Sequence, residues 1–341
     1  MRLHARLIGF AVAAATVAGA TAVQAAEVNV YSSRQDHLIK PLLDQYSEST
    51  GVQVNLLSGS AEQLIERLKN EGANSPADVL ITVDVGNLHS AKMADVLQPI
   101  SSPVLDSNVP ANYRDSDGNW YGLSRRARVI FYSKDRVQPS ELSTYEALAG
   151  DEWKGRICIR SSGNIYNQSL LAAMIATEGE EKAEAWAKGI AENMARQPQG
   201  GDRDQIKAVA AGECDVAIAN TYYFGNMAAS DNAEDKAVVE KIGVFFPNQG
   251  DRGTHVNLSG AGVTKASKNK EEAIKLIEYL TSDEAQEWYA QVNSEYPVKP
   301  GVAVSPILAS WGEFKADAVQ AQKLGENNAA AVRIFDRVGW R

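Results

Sequence analysis

The feature that most constrains this chain is a regular alternation of short apolar runs with segments at helical spacing. Val28–Tyr31 reads as a strand, after which Leu38, Ile39, Leu42, Leu43 and Tyr46 share one helical face until Gly51 supplies a stop. Val52–Leu57 is the next strand, and Leu64, Ile65 and Leu68 predict a helix from Ala61 to Glu71. The turn Asn74-Ser75-Pro76 leads into a further strand at Asp78–Val83. A β-α-β-α-β series returns each strand in the same direction through a crossover helix, so it predicts an α/β domain with a mostly parallel sheet.

The same grammar returns later in the chain. Strands are predicted at Arg128–Tyr132, Ile157–Ile159, Asp215–Asn220, Ile242–Phe246 and Val256–Val263, and Asp117-Gly118 marks a hairpin between Tyr113 and Tyr121. Helices are predicted at Ser169–Thr177, Glu180–Asn193, Asp204–Ala211, Glu271–Leu280 and Glu284–Val292, with Ser282 or Asp283 as the cap of the last. A final helical section runs from Ile307 to Arg337. At 341 residues the chain exceeds what one core usually supports, so two domains are expected.

The first 25 residues are of another kind: Arg2 and Arg6 form a basic start, Ile8–Ala22 is apolar and Ala-rich, and Val23-Gln24-Ala25 offers small residues for cleavage. This pattern predicts a secretory signal peptide cut near Ala25. No later run approaches the ~20 apolar residues that a membrane span needs. The formal net charge is −9, and loss of Arg2 and Arg6 makes it more negative, which disfavours a nucleic-acid partner. Two cysteines, Cys158 and Cys214, in an oxidising compartment are expected to form a disulfide, the alternative being two buried thiols.

Familiar catalytic and nucleotide motifs are missing: the chain has no phosphate-binding glycine loop, no HExxH and no GxSxG. His37, His89 and His255 are unpaired at helical spacing, and the Asp115-Asp117-Asn119 run lacks the acidic twelfth residue of a calcium loop, where Arg126 stands. Position is more informative than motif, because ligands of open α/β sheets bind beyond the carboxyl ends of strands. There lie Ser32-Ser33-Arg34-Gln35-Asp36-His37, then Asp84, then the stretch Arg160 to Gln168 with Tyr166, then Thr221-Tyr222-Tyr223-Phe224-Gly225. Adjacent tyrosines in a strand point to opposite faces, so Tyr222 and Tyr223 reach one site only if the chain turns there, as Phe224-Gly225 suggests. Phenols titrate near ~10, so a neutral-pH phenolate calls for a strong Lewis acid such as ferric iron; the alternative is ordinary core or surface aromatics.

The segments Ile-Ala-Asn-Thr-Tyr222-Tyr223-Phe-Gly, Cys158-Ile-Arg160-Ser-Ser-Gly-Asn164-Ile-Tyr166-Asn-Gln, Tyr31-Ser-Ser-Arg34 and Gly253-Thr-His255-Val-Asn257 closely resemble the periplasmic ferric-iron-binding proteins of bacterial iron ABC transporters. The resemblance spans the chain beyond the signal peptide and implies a type II periplasmic binding protein, with two α/β lobes, a hinge and an interlobe cleft. It implies residues 26–127 plus 253–300 as the N-terminal lobe and 128–252 plus 301–341 as the C-terminal lobe. It implies Tyr166, Tyr222 and Tyr223 as Fe(3+) ligands. Many relatives continue Ser-Ser-Arg with His-Tyr; here Gln35 and Asp36 stand instead. The remaining coordination then falls to Asp36, His37, water or an anion such as carbonate, which Arg126, Gln35 or Arg125 would hold. The three arginines Arg125, Arg126 and Arg128 lie at the expected hinge, and a guanidinium near the phenols is expected to lower their pKa. A disulfide would brace the two tyrosine segments.

The implied function is capture rather than catalysis, by a periplasmic monomer that docks on an inner-membrane ABC permease. Two other readings remain at this stage. One is the same fold carrying an oxyanion or small organic ligand on Ser32-Ser33 and Ser161-Ser162. The other is an exported hydrolase using Asp36, Asp84 or His255.

Overall fold

The computed structural model describes residues 26–341; the expected signal peptide and its cleavage point lie outside the described residues. Its strands are β1 (Glu27–Ser32), β2 (Gln53–Ser58), β3 (Val79–Thr82), β4 (Tyr121–Ser133), β5 (Ile157–Cys158), β6 (Val216–Asn220), β7 (Ile242–Phe245), β8 (Val256–Val263) and β9 (Tyr296–Pro297). Across the sheet they run β2-β1-β3-β8-β4-β6-β5, with β7 and β9 joining β4 off that path. β1 is parallel to both β2 and β3, and the crossovers carry the helices Lys40–Thr50 and Ala61–Glu71. Ser60 and Gln63 form a reciprocal capping box at the start of the second helix, which is why it begins at Ala61 as the sequence predicts.

β4 is the element on which the architecture turns. It pairs with β8 from Tyr121 to Ala127 and with β6 from Arg128 to Tyr132, so one continuous strand passes from one sheet region into the other. The change of partner falls between Ala127 and Arg128. Sequence periodicity recovers only the end of this strand, because Arg125 and Arg126 interrupt its apolar pattern. Arg126 and Arg128 are nevertheless buried, and each finds a carboxylate: Arg126 lies 3.4 Å from Glu295 and Arg128 lies 3.0 Å from Asp202.

One apolar cluster begins on the β1 side and continues along β4 to Phe131, Ala219 and Phe224, and a second lies on the β5–β6 side alone. Val28, Val30, Leu42, Val79 and Leu258 pack on the β1 side, while Trp153, Leu171, Trp186, Ile218 and Trp340 pack on the β5–β6 side. A fully buried residue of this size contributes about 1.5–3 kcal/mol, so each side holds together through many such residues. Cys158 at the end of β5 is bonded to Cys214, two residues before β6, with a Cα–Cα distance of 5.8 Å.

The sequence misses the helices Val85–Met93 and Ala233–Lys241, and its single C-terminal helical section is three separate helices, Pro306–Ser310, Gln322–Glu326 and Asn328–Val338. The middle one packs between Val85–Met93 and Ile165–Glu178. Gly325 makes that possible, since a Cβ there would come 2.2 Å from the His89 Cβ. Among the described residues no helix is long and apolar enough to cross a membrane.

Candidate metal centre

Tyr166 sits in the first turn of a helix rather than in a loop. The helix begins at Ile165, four residues before the predicted start, because Asn164 caps it by accepting a hydrogen bond from the Tyr166 amide at 3.1 Å. Tyr222 and Tyr223 also occupy a first turn. β6 ends at Asn220 and the helix Thr221–Ala229 follows directly, so the change from strand to helix comes before the tyrosines. Phe224-Gly225 is therefore helical and not the turn; Gly225 is required by packing, since a Cβ there would lie 2.4 Å from the Ser294 Cβ. Successive helical residues are only about 100° apart, and the Tyr222 and Tyr223 rings lie together with centroids 4.1 Å apart. Both tyrosine-bearing helices thus bring their positive ends to the cleft, an arrangement that favours anionic oxygen there.

Tyr166 and Tyr222 are 7% and 8% exposed, and Tyr223 is half-buried. Burial first, and then the charge of neighbouring phenolates, pushes the Tyr222 and Tyr223 hydroxyls well above the ordinary phenol range. Arg126, whose Cζ lies 5.6 Å from the Tyr222 ring centroid, pulls Tyr222 the other way, and Arg160 does the same for Tyr223. The expectation that arginine lowers these phenols is therefore overturned in net direction: desolvation and mutual repulsion win. Tyr222 and Tyr223 therefore hold their protons in the metal-free chain.

A cavity of about 270 Å³ opens beside these rings. Tyr166, Tyr223 and Arg160 line one wall, while Ser33, Glu62 and Asn87 line the facing one. A larger cavity of about 690 Å³ lies at the opposite end of the β1 side, between Leu68, Val96 and Lys265. It contains no tyrosine, so the smaller space is the chemically equipped one. Among the described residues no group of three or more His, Cys, Asp or Glu side chains is placed to hold a metal. The tyrosine cluster is the donor set left, and three phenolic oxygens are hard donors suited to a hard cation.

The facing wall offers less. Gln35, Asp36 and His37 are exposed and do not line the cavity, and the Asp36 carboxylate accepts a hydrogen bond from Ser58. Arg125 is committed elsewhere, donating to the Pro297 carbonyl at 2.8 Å and the Tyr113 hydroxyl at 3.1 Å. Arg126 donates to the Val83 carbonyl and to Glu295, which also receives Arg34 at 3.0 Å. Burial opposes the Glu295 charge, yet Arg34 and Arg126 hold its carboxyl below the ordinary range. Glu62 and Asn87 line the cavity without being named in the sequence reading, and Arg160 appears there only as part of a strand-end stretch. The strand-end rule applied to β2 as well would have reached Glu62.

Asp84 is fully buried and accepts from the Gly86 amide at 2.7 Å, Ser169 at 2.8 Å and Asn257 at 2.6 Å. Burial lifts its carboxyl to about 7 against those donors and Arg126. His255 is buried, and burial, Arg128 and Arg252 press it down to about 3, so it stays neutral. Asp36, Asp84 and His255 share no hydrogen bond: Asp36 accepts from Ser58, Asp84 accepts from Ser169 and Asn257, and the His255 backbone amide donates to the Tyr145 hydroxyl.

Two α/β regions joined by a shared strand, with a polar cleft at their strand ends, define the class of type II periplasmic binding proteins. The family model for bacterial extracellular solute-binding proteins matches residues 74–315, and the chain belongs to that family. It is 51% identical over 315 residues to iron uptake protein A1 of Synechocystis sp., covering 92% of this chain and 88% of the relative. The structure of a Trichodesmium IdiA/FutA protein in complex with iron and citrate is similar at TM-score 0.89 and 53% identity, covering 92% of this chain and all of that one. A ferric binding protein from Campylobacter jejuni is similar at TM-score 0.88 and 43% identity, covering 92% of this chain and 100% of that one.

Proposed function

We propose that this chain captures ferric iron in the periplasm through the phenolates of Tyr166, Tyr222 and Tyr223 and delivers it to an inner-membrane ABC permease. The observation that carries the reading is that two helix starts bring Tyr166 and Tyr223 to one cavity, with the Tyr222 ring 4.1 Å from that of Tyr223. Ferric iron is hard and triply charged, and three phenolates balance it. Because the Tyr222 and Tyr223 hydroxyls hold their protons tightly in the metal-free protein, the ion must displace them, and capture is coupled to proton release. Reduction to ferrous iron removes one charge, weakens the preference for phenolate and offers a release route.

Water or an anion completes the coordination shell in this reading, since Asp36 is engaged by Ser58 and His37 is exposed. Arg160, which lines the cavity, and Arg126, beside Tyr222, are the cations available to a carbonate or polycarboxylate; the Trichodesmium relative was solved with iron and citrate. Gln35 reaches such an anion only if the facing wall moves inward. The lobes are residues 26–127 plus 253–300 and residues 128–252 plus 301–341, with β4 as a hinge strand whose partner changes at Ala127 and Arg128. A monomer with no nucleic-acid partner suits an acidic carrier that docks on a permease.

The test is equilibration of metal-free protein with chelated ferric iron, desalting, and elemental analysis. One iron retained per chain is the expected result. Retention of none, with the protein folded, overturns the reading in favour of an oxyanion or organic ligand in the same cleft.

A further inference from the structure

We propose that Arg128 is a positioning residue that ties the hinge strand to both tyrosine-bearing helix starts and so sets the spacing between Tyr166 and the Tyr222–Tyr223 pair. This rests on the tyrosine site proposed above. Arg128 is 1% exposed, and its two terminal nitrogens divide between the two helices. One donates to the Asn167 side-chain oxygen at 2.6 Å. The other donates to the Asn220 side-chain oxygen at 3.1 Å and to Asp202 at 3.0 Å.

Those partners are placed where they control the phenols. Asn167 follows Tyr166 directly, and its amide nitrogen is fixed by the Arg160 and Ser161 carbonyls at 2.8 and 3.1 Å, which turns its oxygen toward Arg128. Asn220 is the residue from which the helix of Tyr222 and Tyr223 starts, and its backbone amide donates to the same Asp202 oxygen at 3.1 Å. A single rigid fork therefore donates to both helix starts, and a longer ion pair between Arg160 and Asp202, 3.7 Å, links the same two partners less directly. Lysine keeps the charge but presents one point of donation in place of a planar fork.

The position of Arg128 along β4 gives the brace its reach. It is the first residue of the stretch that pairs with β6, opposite Asn220, immediately after Ala127 pairs with Val256 of β8. Any bend of β4 at that change of partner moves the guanidinium, and with it both tyrosine turns. The Cys158–Cys214 bond ties β5 to the approach of β6, whereas Arg128 reaches the same wall from the shared strand.

The experiment compares wild type with Arg128→Lys, Arg128→Met and Asn167→Ala. Each is checked for folding by thermal melt and titrated with chelated ferric iron while the iron–tyrosinate absorption band is recorded. Loss of an outer-shell partner typically costs about 10–100-fold in metal affinity, and that loss with a displaced band maximum is expected for Arg128→Lys and Asn167→Ala. Arg128→Met, which leaves Asp202 buried and without its main partner, is expected to be more severe. Should it fail to fold, the other two variants carry the test. Lower melting temperature with unchanged affinity and band would make Arg128 a purely structural residue and overturn the proposal. A wild type without any band would instead overturn the iron reading itself.

Discussion

The two walls of the cleft are built to different standards. The wall from β5 and β6 lines the cavity with Tyr166 and Tyr223 and packs Tyr222 against the latter, on two capped or strand-anchored helix starts, with a buried arginine, a disulfide and a tight packing contact at Gly225 beside them. The facing wall, at the ends of β1 to β3, presents exposed Gln35, Asp36 and His37, and cavity-lining Ser33, Glu62 and Asn87, none of them a member of a metal cluster. The difference teaches an order of events. Under the proposed function, the ion meets the preorganised wall first, and the other wall closes over it with polar groups and solvent or an anion.

Acidification probes the phenol wall hardest. Since both Tyr222 and Tyr223 hold protons above the ordinary phenol range in the metal-free state, every phenolate formed on binding releases a proton, and affinity falls as pH falls. The expected loss is about tenfold per pH unit for each proton displaced, about a hundredfold for Tyr222 and Tyr223 together. Chelator competition at several pH values, corrected for the protonation of the chelator, reads the slope. A flat profile would mean that the phenols are not the ligands.

Next in size, Tyr222→Phe removes a donor from the preorganised wall. Its ferric affinity is expected to drop by more than the ~100-fold upper range for losing an outer-shell group. Cys158→Ser with Cys214→Ser tests the bracing of the same wall. Opening this cross-link lowers unfolding stability by about 2–4 kcal/mol in denaturant titrations, with a smaller loss of iron affinity. Smallest of all, Asp36→Asn and His37→Gln on the facing wall are expected to change affinity by no more than about twofold, as exposed substitutions do. A large effect from either would break the comparison, because it would put a first-wall ligand on the metal.

Much of this was legible in the sequence, and the failures have physical causes. The crossover helices and β8 come through because their apolar spacing is uninterrupted. β4 is truncated in the sequence reading because buried arginines look like a loop until Glu295 and Asp202, remote in sequence, are seen to neutralise them. The three tyrosines were reached through strand-end placement and family resemblance, but their placement on helix starts depends on local choices at Asn164 and Asn220. The sign of the phenol shift was misjudged because charge partners can be guessed from sequence, while the degree of burial cannot. Arg128 escaped notice as a brace because Asn167 and Asn220 carry no signal until they are folded against it.

The most direct test of the account is a visible absorption titration of metal-free protein with chelated ferric iron, for wild type and for Tyr166→Phe, Tyr222→Phe and Tyr223→Phe. The account predicts saturation at one equivalent with an iron–tyrosinate band that each substitution weakens or shifts, while Asp36→Asn leaves it in place. An unaltered band in all three phenylalanine variants, or a folded wild type with no band, would contradict it.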